Sequence, residues 1–132
     1  MSTPKLSRAL GVLVLLLGCS AVSFAQRWDY LGEANVDGGA DHDNIMVTGA
    51  RGEFRAIQIR VEKAPIKFDR VVVHYGDGMS EPIHIRRRIP PGGQTRVIDL
   101  PGNRRIITSV EFWYERASGN PRRPKVRLFG LH

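Results

Sequence analysis

Three aspartates close together in the chain are the residues whose spacing best suits a metal ion. Asp37, Asp41 and Asp43 lie within the glycine-containing stretch DGGADHD. In extended backbone, Asp41 and Asp43 project from one face, about 6.6 Å apart along the strand, and carboxylate oxygens are ligands that Ca²⁺ prefers. The stretch lacks the glycine and glutamate spacing of an EF-hand. It predicts a calcium site in a loop of another kind, and calcium is the one cofactor that the sequence suggests. The alternative is a solvated acidic turn that pairs with nearby arginines.

Arginine clusters form a second candidate site. Arg86, Arg88, Arg104 and Arg105 lie in two short basic runs, and guanidinium groups suit bidentate contacts with anions. The sequence therefore predicts anion binding at these four residues, with an envelope polyanion or polysaccharide as the partner. The alternative is a solvated basic surface that protects sheet edges from aggregation.

An aromatic triplet offers a third kind of contact. In Phe112-Trp113-Tyr114, strand alternation turns the outer two rings toward the core and Trp113 toward the face shared with Glu111 and Glu115. An exposed indole on a sheet can stack on a sugar ring, so Trp113 is a candidate ligand-stacking residue. The alternative is that Trp28 of the first strand covers this face.

Patterns typical of catalysis are missing from the chain. There is no G-x-S-x-G sequence and no phosphate-binding glycine loop. His74 and His84 flank the Asp77-Gly78 turn, where a closed hairpin would make them cross-strand neighbours and a partial zinc site. The sequence predicts a protein that is not an enzyme. The alternative is a hydrolase of envelope polymers whose carboxylates the spacing does not identify.

The N-terminus has the pattern of an export signal. Lys5 and Arg8 precede the ten-residue apolar run ALGVLVLLLG, and Ser23-Phe24-Ala25 resembles a signal peptidase site. Ten apolar residues are fewer than the roughly 20 that span a bilayer. The sequence predicts a signal peptide over 1–25 and a periplasmic or secreted protein. In the alternative, Cys19 of the sequence LLGC is lipidated and anchors the chain to the outer membrane, the one route by which we expect membrane contact.

Length, charge and cysteine content limit the remaining possibilities. The chain has 132 residues, a formal net charge of +7 and one cysteine. Residues 26–132 form one domain of ordinary size, and a single cysteine excludes a disulfide framework within the chain. The basic charge favours an anionic partner, but an exported protein does not normally meet cytoplasmic nucleic acid. The ligand and the oligomeric state stay open.

Alternating apolar residues and turn sequences predict an all-β fold. Short alternating runs recur between glycine- and proline-rich clusters, and no segment after the signal has helical periodicity. In the run FRAIQIRVE, Ile57, Ile59 and Val61 share one face, and in the run RIITSVEFWYE the expected core face includes Ile106 and Val110. The pattern predicts an antiparallel β-sandwich or jelly-roll-like fold of about eight strands. The predicted strands are 28–36, 44–48, 54–62, 66–75, 82–88, 95–100, 105–115 and 125–131.

The order of several short motifs resembles a known family. The sequence contains Trp28-x-x-Leu31-Gly32, then Val73-x-Tyr75-Gly76-x-Gly78, then a closing strand that ends in Leu128-Phe129-Gly130. This order resembles the YaaI-like family of small exported bacterial proteins of unknown function. The resemblance implies a signal peptide, a compact β-sandwich and an exported location, and it implies no catalytic residues.

Together these features predict an exported binding or structural module of the cell envelope, organised by a calcium-type cation where the acidic loop binds one. An anion- or polysaccharide-binding module that uses the arginine clusters is the first alternative. A hydrolase of envelope polymers is the second.

Overall fold

The computed structural model describes residues 27–36, 42–85, 87–116 and 122–132, with the side chain of residue 116 left out. Ten strands and a short 3-10 turn at Gly49–Arg51 lie in these ranges. The strands are β1 (Trp28–Asn35), β2 (His42–Met46), β3 (Glu53–Phe54), β4 (Ala56–Glu62), β5 (Ile66–Tyr75), β6 (Ser80–Ile83), β7 (Arg88–Ile89), β8 (Ile98–Asp99), β9 (Arg105–Arg116) and β10 (Lys125–Leu131). Across these ranges, no helix has the length and apolar character needed to cross a membrane.

Two antiparallel sheets make up the fold. The four-stranded sheet has the order β1-β10-β4-β8. The six-stranded sheet has the order β2-β9-β5-β6, with β3 also paired to β9 and β7 also paired to β5. The chain changes sheet at Arg55, between β3 and β4. The predicted all-β antiparallel class is confirmed, and the architecture is that of a β-sandwich.

Most strands follow the sequence pattern, but three predicted strands differ in extent, and the strand predicted over 95–100 is only the two-residue β8. The segment predicted as a strand over 82–88 is divided between β6 and β7. β6 pairs with β5 only as far as Ile83 opposite Val71. Beyond that point the Ile85 amide donates to the Ile83 carbonyl, which turns the chain tightly. This division accounts for one of the two additional strands, and the break at Arg55, which separates β3 from β4 within the segment predicted over 54–62, accounts for the other.

A continuous apolar core lies where the two sheets face each other. Ile57, Ile59 and Val61 are fully buried, as the alternation in this strand predicts. Gly130 of β10 marks a close approach inside this core, because a Cβ placed there would lie 2.7 Å from Cδ1 of Phe54. Such a contact is too short for any real side chain, so glycine is needed here to let Phe54 pack against β10.

A β-bulge in β9 reverses the expected facing at its N-terminal end. His74 pairs with Ser109 but the next residue, Tyr75, pairs with Ile107, so Thr108 is an extra residue in β9. A bulge of this kind shifts the alternation by one position. The prediction that Ile106 faces the core is therefore wrong: Ile106 is 41% exposed and Ile107 is buried.

Candidate functional site

The predicted calcium ligands are only partly within the described structure. Asp37 and Asp41 lie outside the described residues. Asp43 is half-buried in β2, opposite Phe112 of β9, and its Oδ1 accepts the Asn44 amide at 3.3 Å. In the ranges that the structure describes, no group of three or more His, Cys, Asp or Glu side chains is arranged to hold a metal ion. The calcium site stays a prediction.

The predicted anion-binding arginines do not form one cluster. Arg86 lies outside the described residues. Arg88 of β7 pairs with Lys67 near the start of β5, whereas Arg105 lies over the ring of Tyr75 at the other end of that strand. The eight residue steps from Lys67 to Tyr75 span about 26 Å at about 3.3 Å each.

Two of these arginines also have acidic partners already. The guanidinium of Arg104 lies 3.1 Å from Glu53, and that of Arg105 lies 3.2 Å from Asp77. An anion would have to compete with a carboxylate at both positions. Anion binding at the set of four stays a prediction, but the geometry divides it between separate places on the surface.

Trp113 lies on the solvent-facing side of the six-stranded sheet, which we call the six-strand face. The indole is half-buried between His42 of β2 and Arg70 of β5, the two strands that flank β9. The His42 ring is stacked on it at 4.5 Å between centroids, and the Arg70 guanidinium lies 4.9 Å from the ring centroid. A flat ligand that stacks on Trp113 would have to use its exposed part or displace one neighbour.

Glu111 forms the centre of the six-strand face. It lies two positions before Trp113 in β9 and therefore points to the same side of the sheet. Its Oε2 accepts a hydrogen bond from Nε2 of His42 at 2.8 Å, and its Oε1 is in contact with Nε2 of His74. One carboxylate from the central strand thus bridges two histidines from the strands on either side.

The chemistry of this triplet fixes which nitrogens carry hydrogens. An ionised carboxylate only accepts, so both histidines must donate through Nε2. Hydrogen bonds from His74 and then from His42 lower the pKa of Glu111 below its usual value. Among the described residues, neither Nδ1 atom has a hydrogen-bond partner.

A pocket lies at the β6 edge of the six-stranded sheet, and Arg70 both lines this pocket and lies over the Trp113 ring. The pocket is lined by Asp69, Arg70, Pro82, Ile83 and His84. Asp69 is an extra residue in β5, because Phe68 pairs with Tyr114 and Arg70 already pairs with Trp113. This bulge lets Asp69 and Arg70 both border the pocket.

Sequence reasoning placed Glu111 and Trp113 on one face but missed their partners. The expectation that His74 and His84 are cross-strand neighbours is wrong, since His74 pairs with Ser80. The triplet depends on the register of β2 and β5 against β9, and those contacts join residues that are far apart in the chain. The alternation of side chains along β9 shows which residues of this strand share a face. It does not show which side chains of the neighbouring strands lie beside them.

The comparisons with known proteins show a family and a fold. A solved structure of Pseudomonas aeruginosa AlgX matches with a TM-score of 0.52 and 10% sequence identity, over 77% of this chain and 26% of that one. At this identity the likeness shows the fold alone, and this chain spans only about a quarter of the length of AlgX. No curated protein sequence is significantly similar. A family model for a domain of unknown function, DUF2541, matches residues 10–130, and the chain therefore belongs to the DUF2541 family.

Proposed function

We propose that this protein is an exported, non-enzymatic binding module of the bacterial cell envelope, and that it holds a glycan polymer on the six-strand face. The observation that carries the proposal is the group of His42, Glu111, His74 and Trp113 on a solvent-facing sheet. The core already packs on the opposite side of this sheet.

The chemistry of the group suits a polyhydroxylated ligand. The Nδ1 atoms of His42 and His74 can form hydrogen bonds with hydroxyl groups, accepting when the imidazole is neutral and donating when it is protonated. The exposed part of the Trp113 indole offers an apolar surface to sugar C–H groups. Binding sites for small polar ligands commonly combine aromatic surface with a few placed polar groups. The unknown role of the family neither favours nor opposes this assignment.

The hydrolase alternative finds less support in the geometry. His74 lies between Ser80 and Ser109 in the sheet register, which is the nearest approach to a nucleophile and base on this face. No hydrogen bond joins either serine to His74 among the described residues. A nucleophile is activated by such a bond to its base, so binding is the function that we propose.

Tryptophan fluorescence can test the proposal, because the chain has two tryptophans. Trp113 reports on the six-strand face, and Trp28 of β1 reports on the other sheet. The full chain is expressed with its N-terminal segment and purified from the fraction where it accumulates. Polygalacturonate and dextran are then titrated into the Trp28→Phe and Trp113→Phe variants.

We expect polymer binding to change the emission of Trp113 in the Trp28→Phe protein and to leave the emission of Trp28 nearly constant in the matched variant. No change with either polymer, or an equal change at both tryptophans, would contradict binding at this face.

The predicted export can be tested on the same purified protein. Intact mass of the purified protein distinguishes cleavage before Gln26 from lipidation at Cys19, since the two products differ in length and in acyl content. A protein that keeps residues 1–25 and remains in the cytoplasm would contradict an envelope role.

A further inference from the structure

We infer that the pocket at the β6 edge of the six-stranded sheet binds the anionic group of an acidic sugar, with Arg70 and His84 as the residues that contact it. The inference rests on the proposed function, because it names the class of glycan that the six-strand face takes. The shared chemistry is a sugar that bears a carboxylate or a phosphate.

Arg70 differs from the other arginines that stack on rings. Arg60 lies 4.0 Å from the Phe129 centroid and Arg105 lies 3.8 Å from that of Tyr75. Arg105 also pairs with Asp77, and Arg60 is half-buried with its Nε shielded from solvent. Arg70 is exposed, and in the described structure it has no acidic partner and no hydrogen bond.

The contact with Trp113 holds the Arg70 guanidinium in place and leaves its positive charge without a counter-charge. A guanidinium over an indole is held by cation–π attraction, which restricts the side chain while its in-plane N–H groups stay free to donate. A planar fork of donors suits the two oxygens of a carboxylate or phosphate. Arg70 therefore combines a fixed position with an unsatisfied charge.

The other polar residues of the pocket, His84 and Asp69, favour an anion that also carries hydroxyl groups. His84 is exposed, lines the same pocket and has no partner among the described residues. Asp69 lines it too, and its carboxylate would repel a bare anion but accepts hydrogen bonds from hydroxyl groups. A sugar acid offers both features at once, since its anionic group is surrounded by hydroxyls. Sugar acids should therefore bind better than simple anions.

The test compares acidic and neutral forms of one glycan. Oligogalacturonate and its methyl-esterified form are titrated into the full-length Trp28→Phe protein with Trp113 emission as the readout, and glucose 6-phosphate and glucose form a second pair. Each pair is repeated in Arg70→Gln and in Arg60→Gln, the matched control whose guanidinium also lies over a ring but on the four-stranded sheet. Inorganic phosphate serves as the simple anion.

We expect the acidic forms to bind about tenfold more tightly than the neutral ones, since a charge-assisted hydrogen-bond pair is of that order. Arg70→Gln should remove this preference, and Arg60→Gln should keep it. The uronate and sugar phosphate arms identify which anionic group is preferred.

Equal binding of acidic and neutral forms, or equal losses in both arginine variants, would overturn the acidic-sugar site and leave glycan binding intact. Inorganic phosphate that binds as well as the acidic sugars would overturn the assigned class. No response of Trp113 to any glycan would instead refute the proposed function itself.

Discussion

Charged side chains are paired differently on the two outer faces of the sandwich. On the solvent-facing side of the four-stranded sheet, the four-strand face, Arg127 lies 2.8 Å from Glu62 and 3.4 Å from Glu33, and Lys125 lies 3.2 Å from Glu33. On the six-strand face, Lys67 and Glu115 form one looser pair at 3.6 Å, a single carboxylate, Glu111, contacts two histidines, and the exposed Arg70 has no acidic partner in the described structure. Arg60 of the four-strand face also has no acidic partner among the described residues, but it is half-buried.

The difference shows that sheet stability alone does not account for the six-strand face. Cross-strand pairs of opposite charge stabilise a sheet modestly, and the four-strand face has such pairs along its central strands. An exposed arginine without an acid adds little to folding, so its charge is available for a ligand. This contrast adds to the group of His42, Glu111, His74 and Trp113 as a reason for placing binding on the six-strand face.

The largest expected difference between the two faces is in what their aromatic residues contribute to glycan binding. Trp113→Ala should weaken glycan binding by about tenfold, because it removes the apolar surface that the sugar covers. Burial of apolar surface contributes about 25 cal/mol per Å², and tenfold corresponds to about 1.4 kcal/mol. Tyr30→Ala removes an exposed aromatic residue from the four-strand face and should leave affinity unchanged. Isothermal titration of both variants with oligogalacturonate measures the difference. Similar losses in the two variants would mean that the faces do not differ in function.

A smaller effect concerns stability. Arg127→Met leaves Glu33 and Glu62 without this shared cation and should lower the free energy of unfolding by about 1 kcal/mol. Arg70→Met removes one exposed cation–π contact and should lower it by only about 0.5 kcal/mol. Urea denaturation of both variants gives the two values. A larger loss for Arg70→Met would indicate that Arg70 has a structural role.

Sequence alone predicted the sheets well because each strand carries its own alternation. The fully buried residues Ile57, Ile59 and Val61 follow directly from local pattern. The bulge at Thr108 did not, because it depends on how β9 pairs with β5. The site was predicted less well for the same reason: Trp113 was recognisable by parity, but its neighbours His42 and Arg70 come from two other strands through long-range register.

The smallest expected effect is the contribution of Glu111 on the six-strand face to the pH dependence of stability. Because folding lowers the pKa of Glu111 from its ordinary value of 4.5, the unfolded chain binds more protons than the folded one as the pH falls past that value. Stability from this group is therefore fully present above about pH 4.5 and is lost as the pH falls through the lowered folded pKa. Glu111→Gln should flatten this part of the stability profile, measured as urea midpoints between about pH 2.5 and pH 6.

Glu115→Gln is the matched control, since Glu115 lies on the same strand and, among the residues that the structure describes, is paired only with Lys67 at 3.6 Å. It should leave the acid slope close to that of the native protein, because a long contact between two exposed side chains contributes little. If Glu115→Gln flattened the slope as much as Glu111→Gln, the two histidines would not be what holds Glu111 ionised. The six-strand face would then resemble an ordinary charged surface, and the contrast with the four-strand face would rest on Arg70 alone.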